Sequence, residues 1–341
     1  MRASVLVPAA LVTLALLGTA RRAAEADSGR PSGAKTTETR ARNTRQHDIA
    51  LSFEHAARLR TATLVVPAGE PPAAGWPVVL LLHGAGGSGE QFAGSGGWRD
   101  IARRERFVLV AADGTPANEE RRARFASNMR TWNSGTGSGL STGDNTANSK
   151  QIDDVGYLIA LIDTVATRAR VDTKRVFVAG HSNGAGMSYR LAAEHPRQFA
   201  AVGVMAGHLY AAAPARLSSP VPLIQIIGDR DPLVPMNGGP ARIGRGSQVT
   251  LRPALESPTR WAAMNGIGSA APRIVRDDSV TVRQWGPSAS GTIILSYVVK
   301  GHGHSWLWPA GGKQLPERLV GPTRATLNAT ETIWAFFAER Q

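Results

Sequence analysis

The chain of 341 residues contains no cysteine. That absence excludes thiolate nucleophiles, cysteine-ligated zinc, iron–sulfur clusters, a disulfide framework and a lipidated N-terminal cysteine. A side-chain nucleophile must therefore be a serine, threonine, lysine or carboxylate. Long apolar runs are scarce as well. The longest, residues 3–17, falls short of the roughly 20 residues that a spanning helix needs, which excludes an integral multi-span membrane protein. Charged residues make up only 19% of the chain against 42% hydrophobic, too little charge and too much apolar side chain for a disordered polymer. Aromatics are sparse at 6%, and although the formal charge is +13, 34 of the 39 basic residues are arginines scattered along the whole chain. No arginine stripe with interleaved aromatics marks a specific nucleic-acid partner, so the charge reads as a solvated surface.

The first twenty residues have a basic start at Met1-Arg2, an apolar stretch from Ala3 to Leu17 and a small-residue close at Gly18-Thr19-Ala20. This is the pattern of a secretory signal, with cleavage after Ala20 or after the Ala24-Glu25-Ala26 triplet, and residues 1–26 are expected to be removed on export to the periplasm or the medium. Residues 27–45 show no hydrophobic period and are expected to form a flexible linker. A single catalytic domain is expected over 46–341. Within it short β-branched runs at 59–66, 78–82, 107–111, 175–179, 201–204, 223–227 and 292–299 alternate with helical patterns at 97–104, 152–168, 183–194, 259–265 and 325–339. Strands buried on both faces and separated by helices predict an α/β fold with a mostly parallel sheet covered on both sides. Two long stretches, 117–149 and 236–257, read as loops. Both follow strands, where open α/β sheets place their ligands.

The strongest chemical signal is Val176-Phe177-Val178-Ala179-Gly180-His181-Ser182-Asn183-Gly184. A buried strand runs into G-x-S-x-G and then directly into a helix, the context of a nucleophile elbow, where small residues let strand and helix approach and the serine hydroxyl stands above the sheet. A serine hydroxyl needs a base, and the base needs a carboxylate to fix its tautomer. In this arrangement the acid follows a later strand and the histidine follows the last one. The strand at 223–227 leads into Gly228-Asp229-Arg230-Asp231, and the strand ending at Val299 leads into His302-Gly303-His304-Ser305-Trp306. Asp231 is preferred as the acid, with Asp229 capping its own turn, and His304 is preferred over His302 as the base. An H-x-H metal site lacks a third ligand, and neither metal nor cofactor is expected. Oxyanion donors are expected from the backbone of Asn183 and, in the loop His83-Gly84-Ala85-Gly86-Gly87, of Ala85. Trp132, Trp306 and Trp308 flank these loops and could form an apolar substrate wall or simply pack in the core. Asp153 and Asp154 read as helix-start residues.

Several motifs recur together and in order: Leu82-His83-Gly84, Asp113-Gly114, Trp132-Asn133, Asp153-Asp154-Val155-Gly156-Tyr157-Leu158, Gly180-His181-Ser182-Asn183-Gly184, Asp231-Pro232-Leu233-Val234-Pro235, Asn237-Gly238-Gly239 and Gly303-His304-Ser305-Trp306. Over roughly residues 59–310 the chain resembles the secreted polyhydroxybutyrate-depolymerase-like esterases, a group similar to the first carbohydrate-esterase family with its feruloyl and acetylxylan esterases. The resemblance implies an α/β-hydrolase fold, an ester substrate that is a small molecule or an oligomer, and Ser182, Asp231 and His304 as the triad. The chain departs from the pattern at Ile227, where the family often has histidine, and near Asn265-Gly266-Ile267, where some members carry a cysteine. A serine peptidase of the same fold, or a surface binding protein that has lost catalysis, remains open at this point. The last helical pattern runs almost to Gln341, so no added polymer-binding module is expected and soluble esters should be cleaved faster than crystalline polyester.

Overall fold

The computed structural model describes residues 47–125, 127–135, 146–209, 213–243, 247–268, 270–307, 315–324 and 326–340, all of them within one compact unit, Thr44–Gln341. The expectations for residues 1–45 and for Trp308 lie outside the described residues.

The chain begins with β1 (His47–His55), β2 (Arg58–Val66) and β3 (Trp76–Leu82), followed by α1 (Gly89–Ser95), α2 (Trp98–Glu105) and β4 (Val108–Ala112). The short β5 (Thr115–Pro116) and β6 (Arg130–Thr131) precede α3 (Asp154–Arg168), β7 (Val171–His181), α4 (Asn183–Glu194), β8 (Ala201–Met205) and β9 (Leu223–Gly228). Then come β10 (Gly239–Ile243), β11 (Ser247–Leu251), α5 (Glu256–Met264), β12 (Arg273–Arg276), β13 (Val280–Trp285), β14 (Ile294–Val299), α6 (Glu317–Val320) and α7 (Ala329–Ala338).

Ten of these strands form one sheet in the order β1-β2-β4-β3-β7-β8-β9-β14-β13-β12. From β4 to β14 neighbouring strands are parallel. The flanks, β1-β2-β4 on one side and β14-β13-β12 on the other, are antiparallel. The parallel core is therefore as expected, while the antiparallel flanks are additions to it. Along the edge strand β1 exposed residues, Asp48 and Glu54 among them, alternate with partly or fully buried ones, and the other edge strand, β12, is exposed along its whole length with Arg273 and Arg276 in it, which is what an edge position permits and a doubly covered one does not.

Side-chain alternation along each strand decides which helix covers which face. On β3 the side chains of Val78, Leu80 and Leu82 join α3, α4 and α5 in one core, which includes Leu158, Leu161, Met187 and Trp261. Those of Val79 and Leu81 join α1, α2 and α7 in the other, with Trp98, Ile101, Ile333 and Phe337. All seven residues of β3 are buried, so a run with no polar position in the sequence corresponds to a strand with no solvent face. In the second core the Phe177 and Phe337 rings stack at 4.7 Å. The 236–257 stretch, expected as loop, contains the β10–β11 hairpin and the start of α5. The carboxyl ends of β3, β7, β9 and β14 lie on one edge of the sheet, and each sends out a loop of the candidate site.

Candidate active site

Between the last residue of β7 and the first of α4 stands a single residue, Ser182. Its backbone is held at φ 54° and ψ −118°, a conformation that an L-residue adopts only when its surroundings impose it. The surroundings are explicit. A Cβ on Gly184 would collide with the carbonyl oxygens of Leu82 and His83, and one on Gly180 would lie 2.5 Å from Ser188 Oγ and closer still to the Gly184 carbonyl. Strand β7 and helix α4 thus approach within glycine distance of each other and of β3. The turn can close only through the serine between them.

Ser182 Oγ is 2.8 Å from His304 Nε2, and His304 Nδ1 is 2.8 Å from Asp231 Oδ2. The carboxylate accepts from Nδ1–H, which leaves Nε2 as the acceptor of the neutral ring, facing the serine hydroxyl. Asp231 is buried, and its other oxygen accepts the N–H groups of Leu233 and Val234, each at 2.8 Å. The carboxylate is thereby held from three sides.

The two residues that the sequence left in competition have other partners. Asp229 does not cap its own turn: its Oδ1 accepts from the Gly301 N–H at 2.6 Å and ties the end of β9 to the loop after β14. Asp231 itself caps the turn. His302 is fully buried, its Nε2–H donating to the Ser305 carbonyl at 2.8 Å and its Nδ1 accepting from Arg324 N–H at 3.1 Å. With both ring nitrogens engaged and burial pushing its pKa down, it is a neutral strut beneath the His304 loop. Among the described residues no group of three or more His, Asp or Glu side chains converges in the manner of a metal site.

The loop after β3 lies against the elbow. A Cβ on Gly84 would stand 3.3 Å from Ser182 Cβ. Gly86 N–H donates to the Arg130 carbonyl and Gly87 N–H to the Gly84 carbonyl, while the N–H of Ala85, the residue before them, meets no protein acceptor among the described residues. Asn183 is the first residue of α4, so its amide is one of those that a helix start leaves without an intrahelical acceptor.

Three supporting groups were not assigned a place in the site by sequence reasoning. His83 Nε2 accepts from Gly114 N–H at 3.0 Å and its Nδ1–H donates to the Gly84 carbonyl at 2.7 Å. Burial lowers its pKa to about 4. His181 Nε2–H donates to the His304 carbonyl at 2.8 Å, and burial, reinforced by His304 nearby, pushes its pKa down to about 3. Asp154 is fully buried against Arg60 at 2.7 Å and accepts the Asn133 N–H, whereas Asp153 caps α3 by accepting from Gly156 N–H. The Leu82-His83-Gly84 and Gly180-His181-Ser182 motifs carried the signal for the two histidines, but a sequence does not show which ring nitrogen finds which carbonyl.

Trp132 and Trp306 are both enclosed. Trp132 is 1% exposed and donates its indole N–H to the His83 carbonyl at 2.9 Å. Trp306 is 7% exposed, donates to Thr330 Oγ1 at 2.9 Å, and packs edge-on against Phe92 and His181. Of the two roles that the sequence left open for them, packing behind the site is the one this conformation displays, because each polar indole nitrogen is satisfied inside.

Comparison with known proteins bears on this arrangement. Residues 61–235 match the family model described as "Esterase PHB depolymerase". "Putative esterase NocK" of Nocardia uniformis subsp. tsuyamanensis is 29% identical over 291 residues, 81% of this chain and 78% of its own length. Feruloyl esterase B of Piromyces equi is 30% identical over 118 residues, and the chain spans 33% of its own length and only 22% of that protein's in the match. The solved structure of native sOPH superposes with a TM-score of 0.51 at 15% identity, covering 79% of this chain and 84% of that one, which is a likeness of fold. With a family match that spans half of its length and an α/β-hydrolase sheet beneath it, the chain belongs to the PHB depolymerase esterase family and is a carboxylic ester hydrolase.

Proposed function

We propose that the chain hydrolyses carboxylic esters through a covalent acyl-enzyme on Ser182, with His304 as base and Asp231 orienting it. His304 Nε2 takes the hydroxyl proton as Ser182 Oγ attacks the ester carbonyl carbon, and the Ala85 and Asn183 N–H groups receive the negative oxygen. Collapse of the tetrahedral intermediate breaks the bond to the alcohol, which leaves with the proton from His304. Water then gives a proton to the same nitrogen and attacks the acyl carbon, releasing the carboxylic acid and restoring the serine. The observation that carries the reading is the unbroken line Ser182 Oγ, His304 Nε2, His304 Nδ1, Asp231 Oδ2, with 2.8 Å at both hydrogen bonds.

For the substrate we infer a hydroxyalkanoate oligomer or a feruloyl, acetyl or short acyl ester, met outside the cytoplasm after export on residues 1–26. The Phe125 ring is 49% exposed and lies across Gly86, where it would touch any added Cβ. It therefore offers apolar surface one residue from the Ala85 donor. Pre-steady-state kinetics with a p-nitrophenyl acyl ester in excess over enzyme test the mechanism: a burst of nitrophenol equal to the enzyme concentration, followed by slower steady turnover, is expected where deacylation limits. Persistence of turnover in Ser182→Ala would contradict it.

A further inference from the structure

We propose that Trp132 is a positioning residue that sets the separation of the two oxyanion donors. The inference rests on the assignment of those donors to the Ala85 and Asn183 amides. These amides come from different parts of the chain, the loop after β3 and the start of α4, and a hydrogen-bond donor is useful only when it stands 2.7–3.1 Å from the developing oxyanion. Their spacing therefore has to be fixed by something that grips both segments.

Trp132 does so with three hydrogen bonds. On the helix side its backbone N–H donates to Asn183 Oδ1 at 2.7 Å and its carbonyl accepts from Asn183 Nδ2 at 3.1 Å. The Asn183 side chain is thus clasped as a strand would clasp its neighbour. A further Nδ2 bond to Ser134 Oγ at 3.1 Å fixes the amide plane. On the loop side the indole Nε1–H donates to the His83 carbonyl at 2.9 Å, and the indole packs on the His83 ring with centroids 5.2 Å apart. His83 passes the constraint on, because its Nδ1–H holds the Gly84 carbonyl, the peptide whose nitrogen belongs to Ala85. With its pKa near 4, that imidazole stays neutral and keeps one tautomer in neutral solution. The path runs without a break from one donor's own side chain to the other donor's own peptide group. Trp132 is its middle, and at 1% exposure it has no face free for substrate.

The test is Trp132→Phe, which keeps an aromatic ring in the cavity and removes the indole donor. Since losing a whole oxyanion donor reduces kcat by about 10²–10³-fold, displacing one of them should lower kcat by roughly 10-fold or more while KM stays within about 2-fold. A second readout isolates the donors. A thionoester develops its negative charge on sulfur, a larger and poorer hydrogen-bond acceptor, and depends less on them. The ratio of ester to thionoester turnover should therefore fall in the variant by about the factor lost from kcat. Should Trp132→Phe fold poorly, β-(3-benzothienyl)alanine at position 132 retains the bicyclic shape and deletes the N–H alone, with the same outcome expected. An increase in KM at unchanged kcat would overturn the proposal in favour of a substrate wall, and an equal loss on ester and thionoester would reduce Trp132 to a packing residue. If Ser182→Ala is inactive and Trp132→Phe is not impaired, this inference fails alone. If Ser182→Ala is active, the reading of the site fails with it.

Discussion

Acid should unfold this protein well before its carboxylates titrate, and the buried histidines set the scale. His83, His181 and His208 are held neutral inside the fold, with burial as the largest cause in each and pKa values of about 4, 3 and 4. In the unfolded chain each returns to 6.5. At about pH 7.5 neither state binds a proton there and the three contribute nothing to the pH dependence. As the pH falls below 6.5 the unfolded chain gains protons that the folded chain cannot accept, so stability drops through the window between 6.5 and the folded values. At about pH 5 each imidazole is displaced by roughly 1.5 pH units from its unfolded pKa, or about 2 kcal/mol at 1.36 kcal/mol per unit. Together the three give about 6 kcal/mol, comparable to the whole stability of an ordinary domain. His302, also lowered by burial, acts in the same sense, and Asp154, raised by burial, opposes it. The carboxylates of Asp153, Asp172 and Asp277 are held below their ordinary 3.8, so their protonation lies below pH 5, where the loss is read. Urea unfolding followed by tryptophan fluorescence should show the midpoint falling by about 2 M between pH 7.5 and 5, for a slope of about 3 kcal/mol per M. His208→Gln, which cannot titrate, should remove about a third of that dependence. A midpoint that stays within about 0.3 M over the same range would refute the reasoning.

Three further outcomes follow from the site. Ser182→Gly should be more stable than Ser182→Ala by about 1 kcal/mol in thermal unfolding, because glycine adopts φ 54° without strain, and both should be inactive. His304→Ala should lose at least about 10³-fold in kcat with little change in melting temperature, whereas His302→Ala, which removes a fully buried and doubly bonded ring, should lower the melting temperature by several degrees. The reverse pattern would exchange their roles. Phe125→Ala should reduce kcat/KM about 10-fold for long or aromatic acyl esters and hardly at all for acetyl esters, measured across a chain-length series.

The parts of the fold that could be read from the sequence are those where one face of the argument sufficed. Strands β3, β4 and β8 and the second half of β7 are continuous apolar runs because both of their faces are covered, and α4 begins where the G-x-S-x-G turn forces it to. Strand β1 was not foreseen because only every second side chain, Ile49, Leu51 and Phe53, packs inward, and the residues between them are Asp48, Ala50, Ser52 and Glu54. Strand β12, at the sheet edge, is exposed at all four residues, and β13 beside it is only half-buried up to Trp285, so neither has an apolar face to show in its sequence. Helix α1, of seven residues with glycine at its start, is too short to show a period and is started by the Ser88 cap. In the site, motif order could locate the loops that carry Asp231 and His304. Asp231 and His304 are preferred over Asp229 and His302 in the sequence, a choice that the family resemblance also implies, but motif order by itself does not give the geometric reason for it, since each pair is two residues apart and the reason lies in how the ends of β9 and β14 sit side by side. In the structure Gly228 pairs with Val299, which sets Asp229 beside Gly301 and frees Asp231 for His304.

The central claim is that Ser182 becomes acylated because His304, oriented by Asp231, removes its proton. A fluorophosphonate reports on that step alone, for it reacts with an activated serine and with little else. Wild-type enzyme incubated with the reagent, then digested and mapped by mass spectrometry, should carry one phosphonyl group, on the peptide containing Ser182, and lose ester hydrolysis in proportion to labelling. His304→Ala should label at least about 10³-fold more slowly. Stoichiometric labelling at a different serine, or full inhibition with Ser182 unmodified, would contradict the account.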